Sequence, residues 1–238
     1  MPLFDTIKPM SRFSAASDPS GSLAVLVSGG LDSAILLAET LPYHRAVWPL
    51  YVQFGLVWEK AELEHLGKFL DAIREPTLRA LTVLDMPVGD LYGKHWSLTG
   101  IDVPPAGTPD SAVYLPGRNV LFLAKAMLWC HLHGVPTLAL APLESNPFPD
   151  ATPAFFARYE DIVNQAIGGL VQVVQPYRGF RKEAVLERGR RLPLQWTFSC
   201  MRPIDGKHCG ACNKCAERRD AFLRAGFPDP TDYHSSEL

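Results

Sequence analysis

No stretch of the 238 residues approaches the roughly twenty consecutive apolar residues that a membrane-spanning helix requires. Nor does the N-terminus open with basic residues followed by an apolar segment, so no secretory signal is read there and a cytoplasmic location is expected. Charge of one sign is missing too. Lys and Arg number 23 against 25 Asp and Glu, for a formal net charge of −2. That balance gives no global attraction to nucleic acid or to an anionic membrane, and neither partner is expected. Internal repeats and low-complexity tracts are absent, and with 47% hydrophobic and 20% charged residues the chain is not disordered. Cysteine is scarce and uneven: of five, four fall at positions 200, 209, 212 and 215. Secreted disulfide scaffolds are small and spread their cysteines, so this cluster points to a metal instead.

What is present is an alternation of strand and helix patterns. Short apolar runs at 23–27, 46–54, 78–84, 137–141 and 170–175 predict strands, with Pro49 a blemish in the second. Helical spacing predicts helices at 34–40, 58–73, 119–132, 153–167 and 181–190. In the second of these, Leu63, Leu66, Phe69 and Leu70 share one face, leaving Glu and Lys to solvent. The segment 119–132 is apolar nearly all round and reads as buried. Gly, Pro, Ser and Asp crowd 89–112, which reads as a long loop of the kind that often serves as a lid. Alternating strands and helices imply a doubly wound, mostly parallel five-stranded α/β sheet, whose ligands bind at the carboxyl ends of the strands. Residues 1–22, with Ser and Pro scattered through them, read as a flexible lead-in. The main domain is expected over 23–195 and a small metal-binding lobe over 196–238.

The sharpest local pattern is the Ser28-Gly29-Gly30-Leu31-Asp32-Ser33 turn between the first strand and the first helix. Two glycines let successive N–H groups turn toward one point. The helix N-terminus adds free N–H groups and a positive dipole end. Ser28 and Ser33 add hydroxyl donors, completing a phosphate cradle. Asp32 is suited to capping the helix or to holding a divalent cation such as Mg²⁺ against phosphates. No Lys follows the glycines, so this is not the GxxxxGK[ST] loop, and it is not GxGxxG either.

Cys200, Cys209, Cys212 and Cys215 offer four thiolates at gaps that suit one tetrahedral Zn²⁺ in a closed structural site. An iron–sulfur centre would use the same donors. Cys130, inside an apolar helix, reads as core packing.

The SGGLDS turn resembles the pyrophosphate loop of the PP-loop ATP pyrophosphatases, which share a doubly wound sheet and activate substrates as adenylates. Together with the C-terminal Cys-x2-Cys-x2-Cys, the chain resembles the 7-cyano-7-deazaguanine synthase (QueC) family. Further matches are Pro116-Gly117-Arg118-Asn119, Phe148-Pro149-Asp150, Lys182-Glu183-Ala184-Val185, Trp196-Thr197-Phe198-Ser199-Cys200 and Cys215-Ala216-Glu217-Arg218. The resemblance covers about residues 23–227. It implies an ATP-dependent ligase that turns 7-carboxy-7-deazaguanine and ammonia into the nitrile, as in queuosine biosynthesis. It implies ATP on Ser28, Gly29, Gly30, Leu31, Asp32, Ser33 and Phe54, and substrate on Arg118, Asn119 and Asp150. Asp32, Ser33, Arg118 and Lys182 would take part in catalysis, Arg218 would brace the metal lobe, and the family analogy extends to a homodimer.

Two segments depart from that family's pattern. Phe54-Gly55-Leu56-Val57-Trp58 stands where a Tyr-Gly-Gln and basic residues are usual, and Ala151-Thr152 replaces a Cys-Arg pair. These departures leave a second expectation open: a related enzyme that adenylates another carboxylate, or that stops at an amide or a conjugate.

Overall fold

The computed structural model describes residues 21–234. The expected lead-in lies outside them apart from Gly21 and Ser22, and Ser22 already belongs to the first strand. Five parallel strands form one sheet: β1 (Ser22–Leu26), β2 (Ala46–Gln53), β3 (Thr82–Asp85), β4 (Thr137–Ala139) and β5 (Gln172–Val174). Their order is β3-β2-β1-β4-β5. The chain winds outward from β1 through β2 to β3, then crosses over to β4 and β5. The switch point therefore lies between β1 and β4, where ligands gather beyond the strand ends in such sheets.

Side chains alternate across the sheet as period-2 geometry requires. Leu23, Val25, Val47 and Tyr51 enter one core layer, covered by α1 (Leu31–Thr40), α2 (Glu59–Ala72), α7 (Lys182–Arg188) and α8 (Asn213–Ala225). Ala24, Leu50, Leu138 and Val173 enter the other, under α5 (Arg118–Leu132) and α6 (Pro153–Ile167). A third cluster caps the carboxyl ends of the strands and includes Phe54, Trp58, Leu115, Phe198 and the four clustered cysteines.

Several expectations need correction. The third strand is shorter than 78–84. Leu78 makes only an isolated bridge to Val47, and the ladder resumes at Leu50 opposite Thr82. Val47 exchanges hydrogen bonds with Thr77 and Arg79 on this edge, so Pro49, two residues on, faces the same side and has no N–H to give. The segment 89–112 is not a bare loop. It folds into two single turns, α3 (Gly89–Tyr92) and α4 (Trp96–Thr99), and enters a 3₁₀ turn at Asp110. Helix α5 is buried on one side only: Leu128 and Leu132 are 43% and 76% exposed. In α2 the acids do not all face solvent, because Glu59 and Glu62 are buried.

Candidate active site at the switch point

The turn after β1 is held by its own side chains. The Ser28 N–H donates to Ser33 Oγ at 3.1 Å, Ser33 Oγ reaches Gly30 O at 3.3 Å, and the two serine hydroxyls lie 3.3 Å apart. Gly29 sits at φ 72°, in the left-handed region that glycine tolerates best. A Cβ there would also lie 2.9 Å from Glu62 Cγ, so both backbone and space demand glycine. On its other side the turn is tied to the C-terminal lobe: the Phe198 N–H donates to Gly29 O at 2.7 Å.

Three cavities meet around Asp32. One, of about 230 Å³, is walled by Ser28, Gly30, Trp58, Glu62, Arg118 and Lys182, among others. A second, of about 210 Å³, lies over the β1–β4 crevice and is lined by Ser33, Asn119, Phe122, Leu140 and Asn146. The third, of about 320 Å³, joins Asp32 to Lys182, Lys214 and Glu217. Asp32 Oδ2 pairs with Lys182 Nζ at 2.7 Å, while its Oδ1 is buried without a partner. Lys214 pairs with Glu217. Arg118, the first residue of α5, has no ion pair among the described residues. Its Nε is buried unpartnered, and its guanidinium lies 4.8 Å from the Phe122 ring centroid. The site thus holds a loop of N–H groups, a free guanidinium, two lysines and one open carboxylate oxygen.

Beside it, the sulfur atoms of Cys200, Cys209, Cys212 and Cys215 all lie within 4.8 Å of one another. The separations Cys209–Cys215, Cys212–Cys200 and Cys212–Cys215 are 3.9, 3.9 and 3.5 Å. A tetrahedron with Zn–S bonds of about 2.3 Å has S···S edges of about 3.8 Å. None of these cysteines is in a disulfide. The N–H groups of Arg202 and Cys209 point at Cys200 Sγ, and those of Ala211 and Cys212 at Cys209 Sγ. Such donors favour charged sulfur, so the donor set fits a four-thiolate metal ion. Arg218 braces this lobe. It is wholly buried and donates to Thr231 Oγ1, Ser199 Oγ and Leu194 O. Cys130 lies apart in the core, where burial pushes its thiol up to about 12.

Two expected site residues sit elsewhere. The Phe54 ring, expected at ATP, is in the core, stacked on Phe122 at 4.7 Å, and lines none of the three cavities. Its N–H is held by Glu59 Oε1 at 2.7 Å, which turns the chain just after β2. Asp150, expected at the substrate, caps α5: its Oδ2 accepts the Asn119 N–H at 3.1 Å, and its carbonyl oxygen accepts Asn119 Nδ2 at 3.0 Å. Of the departing residues, Trp58 walls the first cavity and stacks at 5.8 Å on Trp96, while Thr152 caps α6 through the Phe155 N–H. Glu62, Trp96 and Lys214 were not singled out from the sequence. Glu62 and Trp96 lie outside the motifs and Lys214 is a spacer residue between Cys212 and Cys215; they converge from α2, α4 and α8.

A parallel sheet with a glycine–serine turn at its switch point and a thiolate cluster beside it define the class: an α/β protein of the PP-loop type. Residues 22–226 match the family model described as queuosine biosynthesis protein QueC, and the chain belongs to that family. It is 32% identical over 224 residues to the 7-cyano-7-deazaguanine synthase of Xanthomonas oryzae pv. oryzae, covering 88% of this chain and 96% of that one. With the enzyme of the same name from Thiobacillus denitrificans it shares 31% identity over the same proportions. Among solved structures, a 4-thiouridine synthetase bound to RNA and ATP gives a TM-score of 0.48 at 13% identity, covering 90% of this chain and 47% of that one.

Proposed function

We propose that the protein is an ATP-dependent ligase that converts 7-carboxy-7-deazaguanine and ammonia into 7-cyano-7-deazaguanine. One observation carries this reading most: the SGGLDS turn, Lys182 and the unpaired Arg118 converge on cavities that meet at the switch point. The turn and the start of α1 receive the polyphosphate. The β1–β4 crevice, with Asn119 and Asn146, receives the nucleoside, and the cavity under Trp58 receives the flat carboxylate. Arg118 offers a planar fork to the carboxylate or to the α-phosphate. Asp32 Oδ1 is the atom suited to Mg²⁺.

The substrate carboxylate attacks the α-phosphorus, forming the acyl-adenylate and releasing pyrophosphate. Ammonia displaces AMP to give the amide and a proton. The amide oxygen then attacks the α-phosphorus of a second ATP, releasing pyrophosphate and one N–H proton, and loss of AMP and the remaining N–H proton leaves the nitrile. Lys182 stabilises charge on the phosphates as each bond to pyrophosphate breaks. The four cysteines hold Zn²⁺ in a structural site. A chain whose five cysteines form no disulfide suits a cytoplasmic location, and the exposed Leu128 and Leu132 of α5 offer a surface for a homodimer.

A second reading follows from the Trp58–Trp96 pair, which makes the cavity wall aromatic where the family pattern is basic. In that reading another planar carboxylate is activated, or the reaction stops at the amide or a conjugate. One experiment separates them. Protein incubated with ATP, ammonium and 7-carboxy-7-deazaguanine should give the nitrile by mass, with two AMP formed per nitrile. Amide as the end product, or AMP formation only with a different acid, selects the second reading. No AMP with any carboxylate overturns both.

A further inference from the structure

Three carboxyl groups line the cavity assigned to the carboxylate substrate: Asp32, Glu62 and Glu217. Asp32 is paired with Lys182 and Glu217 with Lys214. Glu62 has no ion pair among the described residues. Its Oε2 accepts a 2.5 Å hydrogen bond from the Tyr51 hydroxyl. It is 7% exposed, and its Cγ lies directly behind Gly29 of the phosphate turn. Among the described residues no histidine lines this cavity, and its other titratable groups are Arg118, Lys182, Lys214 and Arg218. Among the described residues Glu62 is therefore the one carboxyl of this cavity without a cationic partner, and it borders the space where the acyl carbon must meet ammonia.

We propose that Glu62 is the proton acceptor for the nitrogen nucleophile. The inference rests on the ligase reading above and adds a residue to it. As ammonia bonds to the acyl carbon and the bond to AMP breaks, one N–H proton passes to the Glu62 carboxylate. In the second adenylation the amide oxygen bonds to the α-phosphorus, pyrophosphate leaves and the nitrogen releases its second proton to solvent; then, as AMP leaves and the triple bond forms, the same carboxylate takes the last N–H proton. Between these steps it returns its proton to solvent.

Its surroundings suit that work. Burial pushes its carboxyl up to about 8, with the Tyr51 hydrogen bond and the Arg118 charge lowering it and Glu59 raising it. A base whose pKa lies near the working pH is the most effective proton acceptor. Tyr51 is a positioning residue: its hydroxyl holds the carboxyl and favours the charged form.

The test separates adenylation from amination. In Glu62→Gln, carboxylate-dependent exchange of labelled pyrophosphate into ATP should stay within about threefold of wild type, while amide formation from ammonium should fall about a hundredfold or more. Hydroxylamine, which traps acyl-adenylates without a base, should still give the hydroxamate. In Tyr51→Phe the acidic limb of amide formation should move to higher pH, because removing the hydrogen bond raises the carboxyl further. Amination at the wild-type rate in Glu62→Gln overturns the proposal. So does loss of exchange and hydroxamate in step with amide, which would mark a structural role, or an unmoved pH limb in Tyr51→Phe. Absence of exchange in the wild-type protein overturns the ligase reading, and this proposal falls with it.

Discussion

Gly29 and Glu62 press against each other at the centre of the site, and each constrains the other. Gly29→Ala must place a Cβ at φ 72° and 2.9 Å from Glu62 Cγ. The backbone cost alone is about 1–2 kcal/mol. The strained backbone and the contact together displace the turn, so pyrophosphate exchange should be lost as well. Gly168, at φ 61° with nothing within 4 Å of its missing Cβ, is the control. Gly168→Ala should cost about 1 kcal/mol in urea unfolding and leave exchange intact. Glu62 itself weakens the fold. Its carboxyl is raised from 4.5 to about 8 by burial, so it binds a proton in the folded state over a range where the unfolded chain has lost it. Its contribution is therefore fully present below pH about 4.5 and is lost as pH rises through about 8. Thermal unfolding between pH 5 and 8 should show Glu62→Gln gaining on wild type as pH rises. A pH-independent difference would mean that the carboxyl is not raised.

Helix α5 shows how a distant residue sets an element that carries site chemistry. Gly117 starts it at φ 75° with no side-chain cap of its own, and Asp150 supplies one from the turn before α6. Asp150→Ala should cost about 1 kcal/mol of stability. It should also weaken substrate binding, because the first turn that aims Arg118 is loosened. If exchange kinetics stay unchanged while stability drops, Arg118 is held by Phe122 alone. The contrast between α5 and its cap also marks what the sequence could reveal. The extents of β1, β2, α5 and α6 follow from local patterns of apolar residues, so they were readable. The SGGLDS turn and the four cysteines are contiguous motifs and were readable for the same reason. Asp150 was legible as a motif residue but not as a cap, because the cap depends on a contact 31 residues away. The late start of the β2–β3 ladder depends on which edge Pro49 faces, a property of the sheet rather than of the segment. Glu59 and Glu62 read as solvent-facing acids because burial of a carboxyl is decided by the partners brought to it, here the Phe54 and Gly55 N–H groups and Tyr51.

At the scale of the whole molecule the cysteine lobe and the glycine–serine turn form one device. Phe198 donates its N–H to Gly29, Ser199 and Arg218 stand in the wall of the first cavity, and α8 brings Lys214 and Glu217 to the third. The segment between Cys200 and Cys209 is largely polar and carries few buried apolar side chains, so it cannot order itself by burial. A metal held by the four thiolates would supply that order, since such a site does not exist in the unfolded chain. Loss of metal should therefore remove catalysis as well as stability, although the sheet and its two core layers do not involve the four clustered cysteines. Purified protein should contain one zinc per chain. Cys212→Ser should lose the metal, unfold at a lower temperature and lose pyrophosphate exchange together, whereas Cys130→Ser should keep the full metal content. Helical circular dichroism should persist in Cys212→Ser below its transition, because α5 and α6 pack on the sheet in a layer to which the lobe contributes no residue. Exchange that survives complete metal removal would show that the turn holds its shape without the lobe, and the Phe198–Gly29 contact would then be incidental.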